Sequence, residues 1–255
     1  MLFQIFISKQ FNIIKKFLDV GEKIMNINLS KIRKNSKVRF IFVVIPSYIR
    51  YNYYKLTDKT RTFTFQGQNY RYFNHWYNTT WNDERAIEIP IICKFVSENN
   101  DNNLLEIGNV LSHYFNIGHD VVDKYEKAEG VINEDVVDFK TSKSYRLIIS
   151  ISTLEHVGWD ESPKNPEKIL DALENLKKCL APGGKLVVTF PLGYNNMLEK
   201  YLEIGKIKFN KNYYFKRISK SNKWIELKSE IIKAQYNFPF PAANVLFIGI
   251  YQKPK

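Results

Sequence analysis

Five short apolar runs follow one another between residues 103 and 190, and polar segments separate them. The runs are Leu104–Gly108, His119–Asp123, Gly130–Ile132, Leu147–Ser152 and Lys185–Phe190. Before the last run, apolar residues recur at helical spacing from Ile169 to Leu180, and Pro182-Gly183-Gly184 ends that helix. This alternation of strands and helices predicts an α/β domain with a mostly parallel sheet covered by helices.

The end of the chain has a different pattern. Trp224–Leu227 and Asn244–Tyr251 are apolar, and no full helical pattern lies between them. Parallel neighbours need a long crossover, usually a helix, whereas antiparallel strands do not. We therefore expect these two runs to form an antiparallel pair at one edge of the sheet.

The N-terminal part precedes this alternation. Residues 1–21 separate apolar side chains from lysines at helical spacing, which predicts an amphipathic helix. Residues 61–73 alternate on both sides of Gln66-Gly67, which predicts a β-hairpin. Residues 80–96 combine capping residues with a helical apolar pattern and predict a helix despite Pro90. The chain is thus predicted to consist of an N-terminal extension, residues 1–102, and a second domain, residues 103–255.

The composition is that of a globular protein. Of the 255 residues, 44% are hydrophobic and 25% are charged, which allows a sizeable core and excludes a disordered or collagen-like chain. Cys93 and Cys179 are the two cysteines, so neither a disulfide framework nor a cysteine-based zinc site can form. A reducing, cytoplasmic location is expected.

The formal net charge of +12 is unevenly distributed. Residues 1–60 hold 12 basic and 3 acidic side chains and residues 201–255 hold 11 and 3, whereas the segment between them is acidic. Basic flanks favour phospholipid headgroups or nucleic acid, unless they simply form a solvated surface. The basic N-terminal helix is therefore suited either to packing on the domain surface, which is the commoner arrangement, or to peripheral contact with the inner face of the membrane.

No secretory signal and no membrane span are expected from the N-terminal sequence. The apolar residues of the first helix precede its lysines, which is the reverse of a signal peptide. The most apolar run, Phe40–Pro46, is far shorter than the roughly 20 residues that cross a bilayer.

Polar residues and a glycine stand at the ends of the first two predicted strands, where ligands bind in doubly wound sheets. Glu106, Gly108 and Asn109 belong to the first strand end, where a glycine admits a ligand and a following helix N-terminus would offer N–H groups. Asp123 ends the second strand, where a carboxylate can accept both hydroxyls of a ribose. Alternatively, Gly108 only forms a turn, and Asp123 is a surface residue that caps the next turn.

The third and fourth strand ends carry further candidates. Asp135 can accept a hydrogen bond from an adenine amino group, and Val136 offers its backbone N–H. Ser150 begins a polar segment that continues to Asp160, at the edge of the sheet where a reacting centre is expected.

In this order and spacing, five segments resemble the motifs of class I S-adenosylmethionine-dependent methyltransferases. They are LEIG, VVD, NEDV, IISISTLEHV and LAPGGKLVVTFP, within roughly residues 103–252. The resemblance implies a Rossmann-like fold with a mostly parallel seven-stranded sheet, helices on both faces and an antiparallel last strand. It implies S-adenosyl-L-methionine as the cofactor, bound by Glu106, Gly108, Asn109, Asp123, Asp135, Val136 and Ser150.

One departure from the family pattern concerns the first motif. The family has acid-x-Gly-x-Gly-x-Gly, whereas this chain has Val110 and Ser112 in place of the second and third glycines. A branched side chain at Val110 means that the loop takes another path, that the cofactor shifts, or that binding is lost.

The candidate catalytic residues are His156 and Glu155. If the acceptor is a hydroxyl, a base must take its proton, and histidine is best matched to neutral pH. Glu155 would orient His156 or be the base itself, and Asp160 is a third option on the same loop. The alternative function of His156 is packing beside the cofactor.

Glu155, His156 and Asp160 could also ligate a divalent metal. Three such residues close together on one loop are more often a coincidence, and no metal is predicted.

The resemblance favours O-methylation of a small-molecule or glycan acceptor. The ERAIEIP, ISTLEHVGWDE and PLGYN stretches resemble a bacterial and archaeal subgroup, some of whose members lie near surface-polysaccharide genes. Acceptor contacts are expected from Tyr70–Trp81, from the Trp159 loop and from Tyr194-Asn195, because aromatic faces stack on sugars. The alternatives are an RNA or DNA methyltransferase, favoured by the net charge, and a non-catalytic binding module. The second alternative is favoured by the altered first motif, residues 106–112, which we call the glycine loop.

Overall fold

The computed structural model describes residues 60–99, 103–116, 118–228 and 233–255. The predicted N-terminal amphipathic helix, the run Phe40–Pro46 and nearly all of the basic N-terminal segment lie outside these residues. Membrane contact through that helix therefore stays a prediction. None of the helices in the described ranges is both long and apolar enough to cross a membrane.

The predicted hairpin is confirmed. Strands β1 (Thr62–Phe65) and β2 (Gln68–Arg71) pair antiparallel around Gln66-Gly67. Phe63 and Phe65 are buried while the alternating Thr62 and Thr64 are exposed, as the period of two in a strand requires. The hairpin therefore buries one aromatic face.

The predicted helix with an internal proline is also confirmed, as α1 (Arg85–Glu98). Pro90 has no N–H, so the carbonyl of Ala86 lacks its partner within the helix. The backbone N–H of Phe73, just after the hairpin, donates to that carbonyl at 2.8 Å. The hydrogen bond that proline removes from α1 is thus replaced by one that attaches the segment following the hairpin.

An eight-stranded sheet contains the remaining strands of the described residues. They are β3 (Leu104–Ile107), β4 (Asp120–Val122), β5 (Val131–Ile132), β6 (Tyr145–Ile151), β7 (Leu180–Pro191), β8 (Lys211–Arg217), β9 (Trp224–Leu227) and β10 (Val245–Gln252). Their spatial order is β5-β4-β3-β6-β7-β10-β8-β9. Strands β3 to β7 are parallel, and β10 lies antiparallel between β7 and β8. The predicted antiparallel last strand is confirmed, and the sheet has one strand more than predicted.

Helices cover both faces of the sheet, as predicted. Helix α2 (Lys168–Cys179) shares a hydrophobic cluster with Ile148 and Val188, together with α3 (Asn196–Glu203). Helix α1 and the hairpin share the opposite cluster with Ile149 and Val187. Adjacent residues of β6 and β7 thus point to opposite faces, which explains why these strands are apolar throughout.

The expected pairing of the last two apolar runs is wrong. Strands β9 and β10 do not pair with each other, because β8 lies between them and is antiparallel to both. In β8, Phe215 is buried but its neighbour Lys216 is exposed. This mixture of charged and aromatic residues concealed β8 in the sequence.

The expected helix after the first strand is also wrong. Between β3 and β4, the described residues form only a single 3₁₀ turn, Leu111–His113. Residues 108–119 connect two parallel strands in about the minimum length that such a crossover needs, which leaves little room for a full helix. The glycine loop therefore leads into a tight turn.

Candidate active site

A cavity of about 580 Å³ opens at the carboxyl ends of three central strands. Ile107 at the end of β3, Val122 at the end of β4 and Ser152 directly after β6 all line it. Six candidate residues from the sequence also line it: Gly108, Asp123, Asp135, Val136, His156 and Asp160. The topology thus brings together side chains from four separate segments.

The wall of the cavity is strongly acidic although the chain as a whole is basic. Six carboxylates line it against one lysine, Lys124. They belong to Asp123, Glu126, Glu134, Asp135, Asp160 and Glu161. Such a wall favours a cationic ligand over an anionic one, because close charges of opposite sign attract.

Gly108 takes a conformation that suits glycine alone. Its φ is +83°, and a Cβ at this position would lie 2.2 Å from Oγ1 of Thr153. Its N–H donates to the carbonyl of Val122 at 2.8 Å, which fixes the loop to the end of β4. The backbone of Gly108 is therefore part of the cavity wall and has no side chain over it.

Val110 does not obstruct the cavity. Its side chain packs against the hydrophobic cluster of α1 and the hairpin, on the other side of the loop, and it does not line the cavity. Ser112 hydrogen-bonds to the side-chain oxygen of Asn109. Val110 therefore leaves the cavity clear, and the three consequences considered for the missing glycines stay predictions.

Glu106 and Asn109 lie beside the cavity rather than on its wall. Glu106 is fully buried, and its carboxylate accepts the backbone N–H groups of Val110 and Leu111. Asn109 donates its side-chain amide to Glu126 at 2.8 Å. Both residues shape the loop from behind the cavity surface.

Asp123 joins the glycine loop to the segment after β4. Its Oδ2 accepts the N–H of Asn109 at 3.1 Å, and its Oδ1 accepts the N–H groups of Tyr125 and Glu126, each at 2.8 Å. Each carboxylate oxygen has two lone pairs, so Oδ2 keeps capacity for a ligand hydroxyl.

Asp135 belongs to an ion-pair network that the sequence did not reveal. Its Oδ2 lies 2.5 Å from Nζ of Lys168 and 2.8 Å from Nζ of Lys124, and both lysines also contact Glu161. Burial alone would raise the pKa of Asp135, but the hydrogen bonds from Lys124 and Lys168 outweigh it and lower the pKa to about 2. The network connects the two sides of the cavity.

Replacing Asp135 with asparagine is expected to change the acid stability of the chain. A depressed carboxyl pKa stabilises the fold above the unfolded value of about 3.9, and this stability is lost as the pH falls towards 2. At pH 7 we expect the free energy of unfolding of the variant to be about 1 kcal/mol lower than that of wild type. This figure is reduced because solvent screens the ion pairs. Urea unfolding at pH 7 and at pH 3 should show this difference narrowing, and a constant difference would contradict the assignment.

His156 is held by a carboxylate on the same loop. Its Nδ1 lies 2.5 Å from Oδ2 of Asp160, which also accepts the Tyr194 hydroxyl at 2.6 Å. Burial would raise the pKa of Asp160, yet the hydrogen bonds from Tyr194 and His156 lower it. The imidazole is about half exposed, so it is both oriented and accessible to a ligand.

Glu155 and Ser150 are buried away from the cavity. Glu155 has a side chain only 1% exposed, and burial raises its carboxyl pKa well above the usual range. Its Oε1 lies 3.8 Å from Nε2 of His156, too far for a hydrogen bond. Ser150 is fully buried within β6. Asp160, rather than Glu155, therefore orients the imidazole.

Ser152 is a strained residue that the sequence analysis did not single out. Its φ is +40°, a left-handed conformation that is costly for a serine. Its hydroxyl donates at 2.6 Å to the fully buried Glu88, which also accepts the Thr189 hydroxyl and pairs with Arg85. The apolar side of α1 thus supplies a buried carboxylate that fixes the cavity wall at the end of β6.

The predicted acceptor contacts are only partly near the cavity. Tyr194 packs edge-on against His156, with ring centroids 4.9 Å apart. Tyr77 stacks on His113, which in turn contacts Glu126 of the cavity wall. Tyr72 and Trp81, in contrast, are buried in the core. In the described part of the chain, no three His, Cys, Asp or Glu side chains are grouped to hold a metal.

Comparison with known proteins gives matches among solved structures. No family model and no curated protein matches the chain. Similar structures include the N-methyltransferase NodS from Bradyrhizobium japonicum WM9 in complex with S-adenosyl-L-homocysteine, with 15% identity, a TM-score of 0.45 and coverage of 68% of this chain and 88% of that chain. An rRNA methylase from Streptococcus thermophilus has 13% identity, a TM-score of 0.39 and coverage of 66% and 97%. The sugar N-methyltransferase KedS8 from Streptoalloteichus has 11% identity, a TM-score of 0.34 and coverage of 67% and 88%.

Proposed function

We propose that this chain, whose sheet has the strand order and the antiparallel strand of the class I methyltransferase fold, is an S-adenosyl-L-methionine-dependent methyltransferase. The observation that carries the proposal is the acid-lined cavity beside His156. In open α/β sheets, ligands bind beyond the carboxyl ends of the strands where the strand order reverses. The order reverses at β3, which contributes Ile107 to the cavity.

The residues present fit the cofactor. The volume of about 580 Å³ lies in the range of small-molecule sites. The six carboxylates complement the ammonium and sulfonium charges of S-adenosylmethionine. Asp123 would hold the ribose hydroxyls, Asp135 and Val136 the adenine, and Gly108 would admit the ligand to the backbone. When bound, this cofactor supplies a methyl group that its sulfonium already activates.

His156 is the proposed general base for a hydroxyl acceptor. Oδ2 of Asp160 can only accept a hydrogen bond from the nearby Nδ1–H of His156, which favours the tautomer with the proton on Nδ1 and the lone pair on Nε2. Nε2 then takes the proton from the acceptor, and Asp160 stabilises the imidazolium that forms. The main remaining task of the site is to align the acceptor oxygen and exclude water.

A small-molecule or glycan acceptor is proposed over nucleic acid. An acidic cavity wall repels phosphates, and Tyr194 beside His156 offers an aromatic surface for a sugar ring. The net charge of +12 favours the nucleic-acid alternative, which predicts salt-sensitive binding of RNA or DNA. A non-catalytic module is the third candidate, and it predicts no cofactor binding. The altered glycine loop supports this third candidate less strongly, because Val110 does not line the cavity.

Calorimetric titration with S-adenosylhomocysteine tests the proposal. We expect micromolar binding by wild type and about tenfold weaker binding by Asp123→Asn, because an amide is a poorer acceptor for ribose hydroxyls than a carboxylate. Asparagine is preferred to alanine because Asp123 also holds three backbone N–H groups.

Asp138→Asn is the matched control, since Asp138 is exposed and does not line the cavity. It should bind like wild type. A folded wild-type chain that does not bind S-adenosylhomocysteine would refute the proposed function and leave the binding-module alternative.

A further inference from the structure

The glycine loop depends on a buried carboxylate for its shape. Oε1 of Glu106 accepts the N–H of Val110 at 3.1 Å and the N–H of Leu111 at 2.9 Å. These two bonds hold the backbone just after Gly108, at residues that do not line the cavity. With valine and serine at the positions of the second and third glycines, the loop has fewer accessible conformations, and hydrogen bonds select among them.

The other oxygen of Glu106 has a histidine partner. Nε2 of His119 lies 2.7 Å from Oε2 of Glu106, and the two side chains are 1% and 0% exposed. A buried carboxylate without a partner is costly, so this contact keeps Glu106 in place within the core. His119 directly precedes β4, whereas Glu106 lies in β3. The pair thus joins the two strands whose ends form the cavity.

We propose that His119 is a positioning residue for cofactor binding, which acts by holding Glu106 against the backbone of residues 110 and 111. His119 does not line the cavity, and neither does Glu106. The loop keeps its ligand-binding shape because a buried histidine–glutamate pair replaces the conformational role of the missing glycines. This inference rests on the proposed function for its ligand, but the loop geometry can be tested without one.

The test compares His119→Leu with His119→Gln. Glutamine can place an N–H donor near the position of Nε2, whereas leucine cannot. We expect S-adenosylhomocysteine to bind His119→Leu about tenfold more weakly than wild type, and His119→Gln to restore most of the affinity. With saturating cofactor, kcat should be nearly unchanged, so the loss appears in KM for the cofactor.

Tyr145→Phe is the matched control. The Tyr145 hydroxyl donates at 2.8 Å to Asp120, the first residue of β4, so this variant also removes a partly buried hydrogen bond beside His119. It should lower the melting temperature without weakening cofactor binding. If Tyr145→Phe and His119→Leu weaken binding equally, the effect is general destabilisation and the proposal fails.

Amide hydrogen exchange gives a readout that needs no cofactor. The N–H groups of Val110 and Leu111 should exchange faster in His119→Leu than in wild type, while those of β6 stay protected. Should His119→Leu not fold, Glu106→Gln replaces it, with the same expected loss of protection and affinity. Unchanged exchange at residues 110 and 111 would overturn the positioning role, even if wild type fails to bind cofactor.

Discussion

Gly108→Ala is expected to abolish cofactor binding and to lower the free energy of unfolding by about 3 kcal/mol. An alanine at φ +83° is strained, which costs on the order of 1 kcal/mol. Its Cβ would also lie 2.2 Å from Oγ1 and 2.7 Å from Cγ2 of Thr153, and such overpacking typically costs about 1–3 kcal/mol. Relief requires the loop to move at the cavity wall. Urea unfolding and calorimetric titration measure the two effects.

Gly67→Ala separates backbone strain from the clash. Gly67 has a similar φ of +76°, but nothing lies within 4 Å of a Cβ built there. This hairpin variant should lose about 1 kcal/mol of stability and leave binding unchanged. If Gly108→Ala is no worse than Gly67→Ala and still binds S-adenosylhomocysteine, the tight loop described here is incorrect.

His156→Gln is expected to lower kcat by about a hundredfold or more while S-adenosylhomocysteine binds within about twofold of wild type. General bases typically contribute about 10²–10⁴-fold to rate. Glutamine keeps the size and polarity of the side chain but cannot take a proton at neutral pH. The measurement is transfer of a labelled methyl group to a panel of saccharides and small alcohols, with cofactor affinity measured separately.

Asp160→Asn is the companion variant, because it removes the carboxylate that orients Nδ1. It should reduce kcat by a smaller factor than His156→Gln, and Tyr194→Phe by a smaller factor still, since Tyr194 contacts Asp160 and the edge of the imidazole. Equal activity of wild type and His156→Gln would show that His156 only packs beside the cofactor.

The central strands could be predicted because burial on both faces makes them continuously apolar. Ile148, Ile149, Val187 and Val188 illustrate this, with two residues on each face of the sheet. Strand β8 was missed because charged residues, Lys211, Lys216 and Arg217, interrupt its aromatic residues, so it has no continuous apolar signal. The expected helix after Gly108 was wrong because chain length, not local pattern, limits the crossover.

The cavity residues that could be predicted are those that follow a strand end within a few residues. Asp123 and Asp135 follow short strands, and both reach the cavity. The ion pairs of Lys124 and Lys168 with Asp135 depend on tertiary contacts between distant segments, which no spacing reveals. Glu155 follows the same strand as His156, but its side chain points into the protein, a distinction that required coordinates.

The missing N–H of Pro90 decides which part of the chain binds the carbonyl of Ala86. Any other residue at position 90 would offer an N–H to that carbonyl and compete with Phe73. The residue type at position 90 therefore decides which of two hydrogen bonds the Ala86 carbonyl accepts. One completes a regular helix, and the other joins the hairpin to the helix whose Glu88 holds Ser152 at the cavity. Pro90, which does not line the cavity, thus determines through its missing N–H how the hairpin is connected to the candidate active site.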